Sequence, residues 1–326
     1  MALKIAEECH LYSVFFEELP KDYLILLKEQ QEEVMESDIE LYENIQVLAD
    51  LTAQEIISQV PFEKKELKSI LLVGEKESEK RNKEDVQEGD IVLVSDVKEK
   101  EKDLIISLKL CKKSSYVNSK NGGARSFIEK YFSSFGEKST KFQSQFNKSL
   151  DSEFYFFLNS LLSEKGVEDE SENISHLLKK FNEYYSSRPG ELPENVRIYL
   201  KHYYHQLAKK LFSLLEDLYI DNSRLFFLSI ASLLGLSNEK IWQFTCFYEN
   251  NKTQRYQEDE IFFFSTSFIA EGKVVLVPPK ENISSFNILI ESEKMEIDLQ
   301  VRIKPMQSIT VPSPKINCSI KSKKKS

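Results

Sequence analysis

The chain has few of the residues that build disulfide-linked or zinc-linked domains. Four Cys occur in 326 residues, at positions 9, 111, 246 and 318, and no two of them form a Cys-X-X-Cys pair. Cysteines this far apart argue against a disulfide framework and against a structural zinc site. His202 and His205 have no Glu-X-X-His pattern beside them, so the histidines do not indicate a metal site either.

Long apolar segments and the glycine-rich motifs of common enzyme classes are also missing. No apolar run reaches about 18 residues, the length that indicates a membrane-spanning helix. The N-terminus lacks the apolar core of a signal peptide, so we expect an intracellular, cytoplasmic protein with no membrane partner. P-loop, Gly-X-Gly-X-X-Gly and Gly-X-Ser-X-Gly sequences are absent. Nucleotide hydrolysis, dinucleotide redox chemistry and serine hydrolysis therefore have no support.

The composition that is present favours a packed core and an uneven charge. The chain is 41% hydrophobic, with 22 Phe and 14 Tyr, which is enough for a substantial core. Its formal net charge is −9, but residues 98–148 carry 12 basic and 5 acidic side chains, and residues 301–326 carry 7 basic and none acidic. Local basic surfaces of this kind favour phosphate binding. The alternative is that these lysines only solvate the surface.

Two apolar strands joined by a charged turn are predicted at residues 90–95 and 104–111. Asp90 opens the first strand, and Ser107 and Lys109 lie near the end of the second. Because side chains alternate between the faces of a strand, Ser107 and Lys109 share one face. An acid at the start of one strand and a lysine at the end of its neighbour suit metal-dependent phosphodiester hydrolysis. A carboxylate can hold Mg²⁺, which activates water, and an ammonium can stabilise charge on the phosphate.

The spacing Asp90-X16-Ser107-X-Lys109 resembles the Asp…(Glu/Asp)-X-Lys core of the PD-(D/E)XK nucleases, in particular the type II restriction endonucleases. Ser107 stands where the second acid usually stands. The resemblance implies a Mg²⁺-dependent, site-specific double-stranded DNA endonuclease in which Asp90, Ser107 and Lys109 are catalytic. It also implies a bacterial cytoplasmic protein, a homodimer on palindromic DNA, and a cognate methyltransferase acting on the same site.

The same resemblance implies a metal site built from Asp90 and the backbone carbonyl of Leu108. A supporting acid is expected from a preceding helix, where Glu55 and Glu43 are candidates. Asp96 is an alternative to Asp90 as the metal ligand. A hydroxyl is a weaker metal ligand than a carboxylate. Ser107 therefore leaves open an alternative to the endonuclease, a non-catalytic DNA-binding protein that has kept the fold and lost the chemistry. A defence or repair nuclease with little sequence preference is the remaining alternative.

Two further segments are candidates for DNA contact. The first is a predicted glycine-containing loop that leads into a helix, with Lys120, Asn121 and Arg125 as its DNA-binding residues. It resembles a segment that follows the Ser-X-Lys strand in some type II restriction endonucleases. The second is a C-terminal strand in which Arg302 and Lys304 face away from Val301 and Ile303. The alternatives are an ordinary loop and an edge strand with charged outer positions.

The order of predicted elements indicates an α/β (α+β) fold with a restriction-endonuclease-like mixed β-sheet core flanked by helices and a large helical insertion. Helices are predicted within residues 11–60 and at 124–133, 139–163, 173–186, 194–217, 222–235 and 238–247, and strands dominate from about 253. We expect one nuclease domain over residues 1–326. It comprises a helical part (1–60), a catalytic core (66–135), a helical subdomain (136–250), a β-rich part (251–320) and a disordered basic tail (321–326).

Overall fold

A computed structural model of the chain describes residues 5, 15–16, 21–59, 67–72, 90–97, 100–112, 116–167, 173–236, 241–248, 261–265, 272–293, 295–309 and 314–324. The fold is mixed α+β, with seven α-helices and two sheets in the described part. The chain divides into two compact units. One comprises Met1–Val117, Gly235–Glu271 and Lys324–Ser326, and the other comprises Asn118–Leu234 and Gly272–Lys323.

The helices are α1 (Lys21–Ser37), α2 (Ile39–Gln59), α3 (Phe127–Tyr131), α4 (Glu137–Ser163), α5 (Ile174–Tyr184), α6 (Glu194–Asp221) and α7 (Ser223–Leu233). The strands are β1 (Phe15–Phe16), β2 (Leu67–Leu72), β3 (Ile91–Val97), β4 (Lys100–Lys112), β5 (Val117–Gly123), β6 (Ile241–Tyr248), β7 (Ile261–Phe264), β8 (Lys273–Val277), β9 (Ser285–Glu291), β10 (Met295–Lys304) and β11 (Lys315–Lys324). No helix in the described ranges is both long and apolar enough to cross a membrane.

The first unit contains a mixed sheet of six strands in the order β1-β2-β3-β4-β6-β7. The β1/β2 and β4/β6 pairs are parallel, and the other three pairs are antiparallel. The parallel β4/β6 pair joins segments that lie about 130 residues apart in the chain. A hairpin and a distant strand therefore build the centre of this sheet.

Helix α2 covers one face of this sheet. Its buried side chains include Leu48, Thr52 and Ile56, and the Thr52 hydroxyl lies 3.1 Å from the sulfur of Cys246 on β6. Asp38 caps the helix, because its carboxylate accepts a hydrogen bond from the N–H of Leu41 at 2.9 Å. Cys246 pairs with Leu110, so α2 packs against the leucine-bearing face of β4.

The second unit packs its helices on a sheet of five strands in the order β5-β11-β10-β9-β8. Helix α6 lies against this sheet, with the ring centroids of Phe212 and Phe286 5.4 Å apart. A cluster of aromatic rings joins α4, α5 and α6: Phe154, Phe157, Phe181 and Tyr203. These large buried rings account for the amphipathic helices predicted from residue 139 onwards.

Three sequence predictions differ from the structure. Residues 238–247 were predicted as a helix, but Ile241–Tyr248 is the strand β6. The predicted loop around Asn121 is the strand β5 up to Gly123, followed by a short 3₁₀ turn and α3. β11 extends to Lys324, so most of the predicted disordered tail belongs to a strand.

Candidate active site

The predicted hairpin forms, and it brings Asp90 beside the segment of β4 that carries Ser107 and Lys109. Ile91 pairs with Ile106 across the antiparallel β3/β4 ladder, and the N–H of Asp90 donates to the carbonyl of Ile106 at 2.8 Å. Asp90 immediately precedes β3, and its carboxylate reaches the N–H of Leu108, the residue between Ser107 and Lys109. Two residues separated by sixteen others in the sequence thus become neighbours.

Lys109 lies two positions beyond Ser107 on the same face of β4. Its side chain is half-buried, and its ammonium interacts electrostatically with the carboxylate of Asp90. Ser107 itself is only 3% exposed. This face of β4 is opposite the one that α2 covers, because Leu108 and Leu110 alternate with Ser107 and Lys109.

Asp90 is held in a half-buried position by the backbone of β4. Its Oδ2 accepts a hydrogen bond of 2.6 Å from the N–H of Leu108, while Oδ1 has no hydrogen-bond partner among the described residues. Burial raises the pKa of the Asp90 carboxyl above its usual range. The N–H of Leu108 and the ammonium of Lys109 both lower this pKa, but by less than burial raises it.

This arrangement fits a divalent cation held by a single carboxylate. Oδ1 of Asp90 is available as a ligand, and the peptide of Leu108 lies beside it. No group of three or more His, Cys, Asp or Glu side chains converges on one point in the described ranges. Mg²⁺ is often held by only one or two carboxylates together with the phosphates of the substrate. The donors present are therefore compatible with Mg²⁺ when DNA supplies the remaining oxygens.

The other candidate acids lie elsewhere. Glu55 is half-buried on α2, where its carboxylate accepts a hydrogen bond of 3.1 Å from Gln59, and α2 covers the opposite face of the sheet from Ser107. Glu43 is exposed on the same helix. Asp96 pairs with Glu101, six residues along β3 from Asp90 and so about 20 Å away. The register thus brings Asp90, and not Asp96, to Ser107 and Lys109.

Sequence reasoning missed two buried polar residues on β6. Gln243 pairs with Ser107 and Thr245 pairs with Lys109 across the parallel ladder, and these two side chains are 1% and 2% exposed. They share the face that carries the candidate catalytic residues. The available signal was a pair of polar residues at alternate positions in the apolar run of residues 241–247, which the helix interpretation obscured.

The second unit contains all five predicted DNA-binding residues. Arg125 is paired with Asp151, with 2.5 Å between Nη2 and Oδ1, so a phosphate would have to replace this carboxylate. Lys120 is half-buried and Asn121 exposed on β5. Gly122 packs closely against the ring of Tyr131, because a Cβ at this position would lie 3.3 Å from that ring. The absence of a side chain at 122 therefore has an explanation within the protein.

Arg302 and Lys304 are exposed on β10, while Val301 and Ile303 are each 1% exposed on its other face. This alternation is the predicted one. The edge-strand alternative is wrong, because β10 lies between β11 and β9 inside the sheet. Two adjacent outward cations on an interior strand form a fixed basic patch.

Comparison with known proteins adds no family to this description. No protein-family model matches the chain, and no curated protein matches it significantly. The functional argument therefore rests on the geometry of the site alone.

Proposed function

We propose that the chain is a Mg²⁺-dependent, site-specific endonuclease of double-stranded DNA, similar to type II restriction enzymes with the PD-(D/E)XK core. The observation that carries this proposal is the Asp90 carboxylate, which accepts a hydrogen bond from the N–H of Leu108 and interacts electrostatically with the ammonium of Lys109. The mixed sheet with a helix against one face supports it. A fold of this kind hosts other activities too, so the site and not the fold carries the argument.

Each residue of the hairpin has a defined task in hydrolysis. Asp90 Oδ1 and the peptide carbonyl of Leu108 would hold Mg²⁺, which lowers the pKa of water and neutralises phosphate charge when bound. Lys109 orients the attacking water and stabilises the negative charge that develops on the phosphate as the bond to the leaving oxygen breaks. Ser107 contributes a hydroxyl between these groups in place of the usual carboxylate.

The decisive test is cleavage of several plasmids of known sequence in Mg²⁺, with EDTA as the control. Discrete fragments with constant ends are expected, because a site-specific nuclease cuts at defined positions. A smear would support the alternative of a nuclease without sequence preference. DNA binding that persists in EDTA, with no cleavage in Mg²⁺ or Mn²⁺, would overturn the enzyme proposal in favour of a non-catalytic DNA-binding protein, the alternative that Ser107 favours.

A palindromic recognition site would be read by a homodimer, because protein symmetry mirrors site symmetry. Under this proposal the enzyme–DNA complex contains two chains. Sedimentation of the complex with Ca²⁺ in place of Mg²⁺ measures this stoichiometry. One chain per duplex would contradict the dimer.

The basic patch on β10 gives a separate prediction about DNA affinity. We expect Arg302→Gln combined with Lys304→Gln to weaken DNA binding at all sequences alike and to lower the salt slope of log K by about 2, because each phosphate contact contributes about 1. Fluorescence anisotropy across a salt series measures both effects. Lys280→Gln, an exposed lysine in the same unit, is the control. An unchanged slope in the double variant would show that this patch does not meet phosphate.

A further inference from the structure

A buried amide lies beside the position where the second acid is missing. Gln243 pairs with Ser107 across the parallel β4/β6 ladder and is only 1% exposed. Burying an amide is unfavourable unless its polar atoms are satisfied. A buried glutamine on the functional face of this strand therefore calls for a physical explanation.

In the side-chain amide of Gln243, the nitrogen has a hydrogen-bond partner in the described part of the chain and the oxygen has none there. Its Nε2 donates to the hydroxyl of Thr245 at 3.3 Å, whereas its Oε1 has no hydrogen-bond partner among the described residues. Gly235 lies next to this oxygen with φ +87°, and a Cβ there would come within 3.3 Å of Oε1. A side chain at position 235 would therefore crowd the carbonyl oxygen of Gln243.

Asp90 and Gln243 approach β4 from its two neighbours: the Asp90 carboxylate bonds the N–H of Leu108 from the β3 side, and Gln243 pairs with Ser107 on the β6 side. Neighbouring strands lie about 4.8 Å apart, so each of the two residues is one strand spacing from β4. A carboxylate and a longer amide side chain can meet above the small side chain of Ser107. A carboxylate at 107 would fill this space itself, which links the serine to the glutamine.

We propose, resting on the proposed function, that Gln243 supplies its side-chain carbonyl oxygen to the divalent cation held by Asp90, replacing the ligand that Ser107 does not provide. Mg²⁺ and Ca²⁺ are hard cations that take oxygen ligands, and glutamine carbonyls are among the oxygens that bind Ca²⁺. The replacement exchanges a charged donor for a neutral one. The protein then contributes a single negative charge, from Asp90, and the DNA phosphate contributes the rest.

The test is metal affinity, measured by Tb³⁺ luminescence and its displacement by Mg²⁺ in the full-length protein without DNA. Gln243→Met keeps the length of the side chain and removes the oxygen. It is expected to weaken binding about tenfold or more, the range found when a group that tunes a metal site is removed. Gln243→Glu is expected to tighten binding, and Ser107→Asp added to Gln243→Met is expected to restore it.

Thr245→Val is the matched control, because it disturbs the same buried pair and leaves the carbonyl oxygen in place. Circular dichroism verifies that each variant is folded. Unchanged affinity in folded Gln243→Met, or a Gln243→Glu variant that binds no tighter than wild type, would overturn the inference while wild-type cleavage and its dependence on Asp90 still stand. Failure of the wild type both to bind Mg²⁺ and to cleave DNA would instead remove the proposed function, and this inference with it.

Discussion

Lys109→Met is expected to abolish DNA cleavage while leaving the fold intact. Methionine keeps the length and most of the apolar stem of lysine, so β4 should pair with β3 and β6 as before. What disappears is the ammonium beside Asp90. Loss of a group that stabilises charge in the transition state lowers kcat by about a hundredfold or more. Rates of plasmid nicking and linearisation in Mg²⁺ measure the effect.

The pH dependence of that loss distinguishes two roles for Lys109. One is to lower the pKa of Asp90, and the other is to stabilise charge on the phosphate. Its ammonium lowers the pKa of the Asp90 carboxyl, so the substitution raises that pKa further and leaves more of the carboxyl protonated. If Lys109 acted only in this way, raising the pH would recover the activity. We expect the loss to persist at every pH, because the phosphate still lacks its cation.

Lys273→Met is the control for this experiment, since Lys273 is an exposed lysine on β8 to which no DNA contact is assigned. It should cleave at the wild-type rate. A Lys109→Met variant that cleaves within a few-fold of wild type at neutral pH would remove Lys109 from the catalytic machinery.

The hairpin could be predicted from sequence because its determinants are local. Apolar residues run through both strands, a charged turn joins them, and the alternation of Ser107 with Leu108 fixes which side chains share a face. The approach of Asp90 to the end of β4 then follows from the antiparallel pairing of the two strands. The alternation of Arg302 and Lys304 with buried residues on β10 was predictable for the same reason.

Strand β6 could not be predicted in the same way. Its side chains are buried on both faces of the sheet, and the apolar Ile241 and Phe247 share the face of Gln243 and Thr245, so the alternating polar pair is too short to define a polar side. A short apolar run of this kind does not distinguish a buried strand from a buried helix. The pairing of Ser107 with Gln243 depends on a parallel contact between distant segments, which no local pattern contains.

The predicted glycine-containing loop around Asn121 is a strand instead, because a distant segment of the chain pairs with it. Asn118 accepts hydrogen bonds from Asn317 and Ser319 on β11, at 3.0 and 3.1 Å, and the Ser119 hydroxyl donates to the carbonyl of Cys318. Asn and Gly are poor strand formers, but these contacts come from about 200 residues further along the chain. Tertiary pairing decides the structure here.

Asp90→Asn is expected to abolish Mg²⁺-dependent cleavage and yet to raise the stability of the metal-free protein at neutral and alkaline pH. Asparagine has nearly the same shape, and its side-chain oxygen can still accept the hydrogen bond from the N–H of Leu108. It cannot supply the charge that a cation needs. Activity should therefore fall by at least about a hundredfold, measured by the same plasmid assay.

The gain in stability follows from the environment of the carboxyl. Burial raises the pKa of Asp90 in the folded protein above its value in the unfolded chain. A group of this kind stabilises the folded state fully only below the unfolded pKa, and the contribution is lost as the pH rises through the folded pKa. In EDTA, the Asp90→Asn variant should thus match the wild type in acid and exceed it at higher pH.

Thermal unfolding in EDTA and in Mg²⁺ connects the two effects. If Asp90 holds Mg²⁺ as proposed, the cation should raise the melting temperature of the wild type, because it would bind the folded and not the unfolded chain, whereas the Asp90→Asn variant should not respond. Asp103→Asn, a half-buried aspartate in the same hairpin, is the control and should keep the Mg²⁺ response. Equal Mg²⁺ stabilisation of wild type and Asp90→Asn would place the cation elsewhere.

An Asp90→Asn variant less stable than wild type in EDTA at pH 8 would mean that Leu108 and Lys109 stabilise the charged carboxylate by more than its burial costs. In the expected case the hairpin keeps a carboxylate that destabilises the empty protein, because the same carboxylate is what binds Mg²⁺.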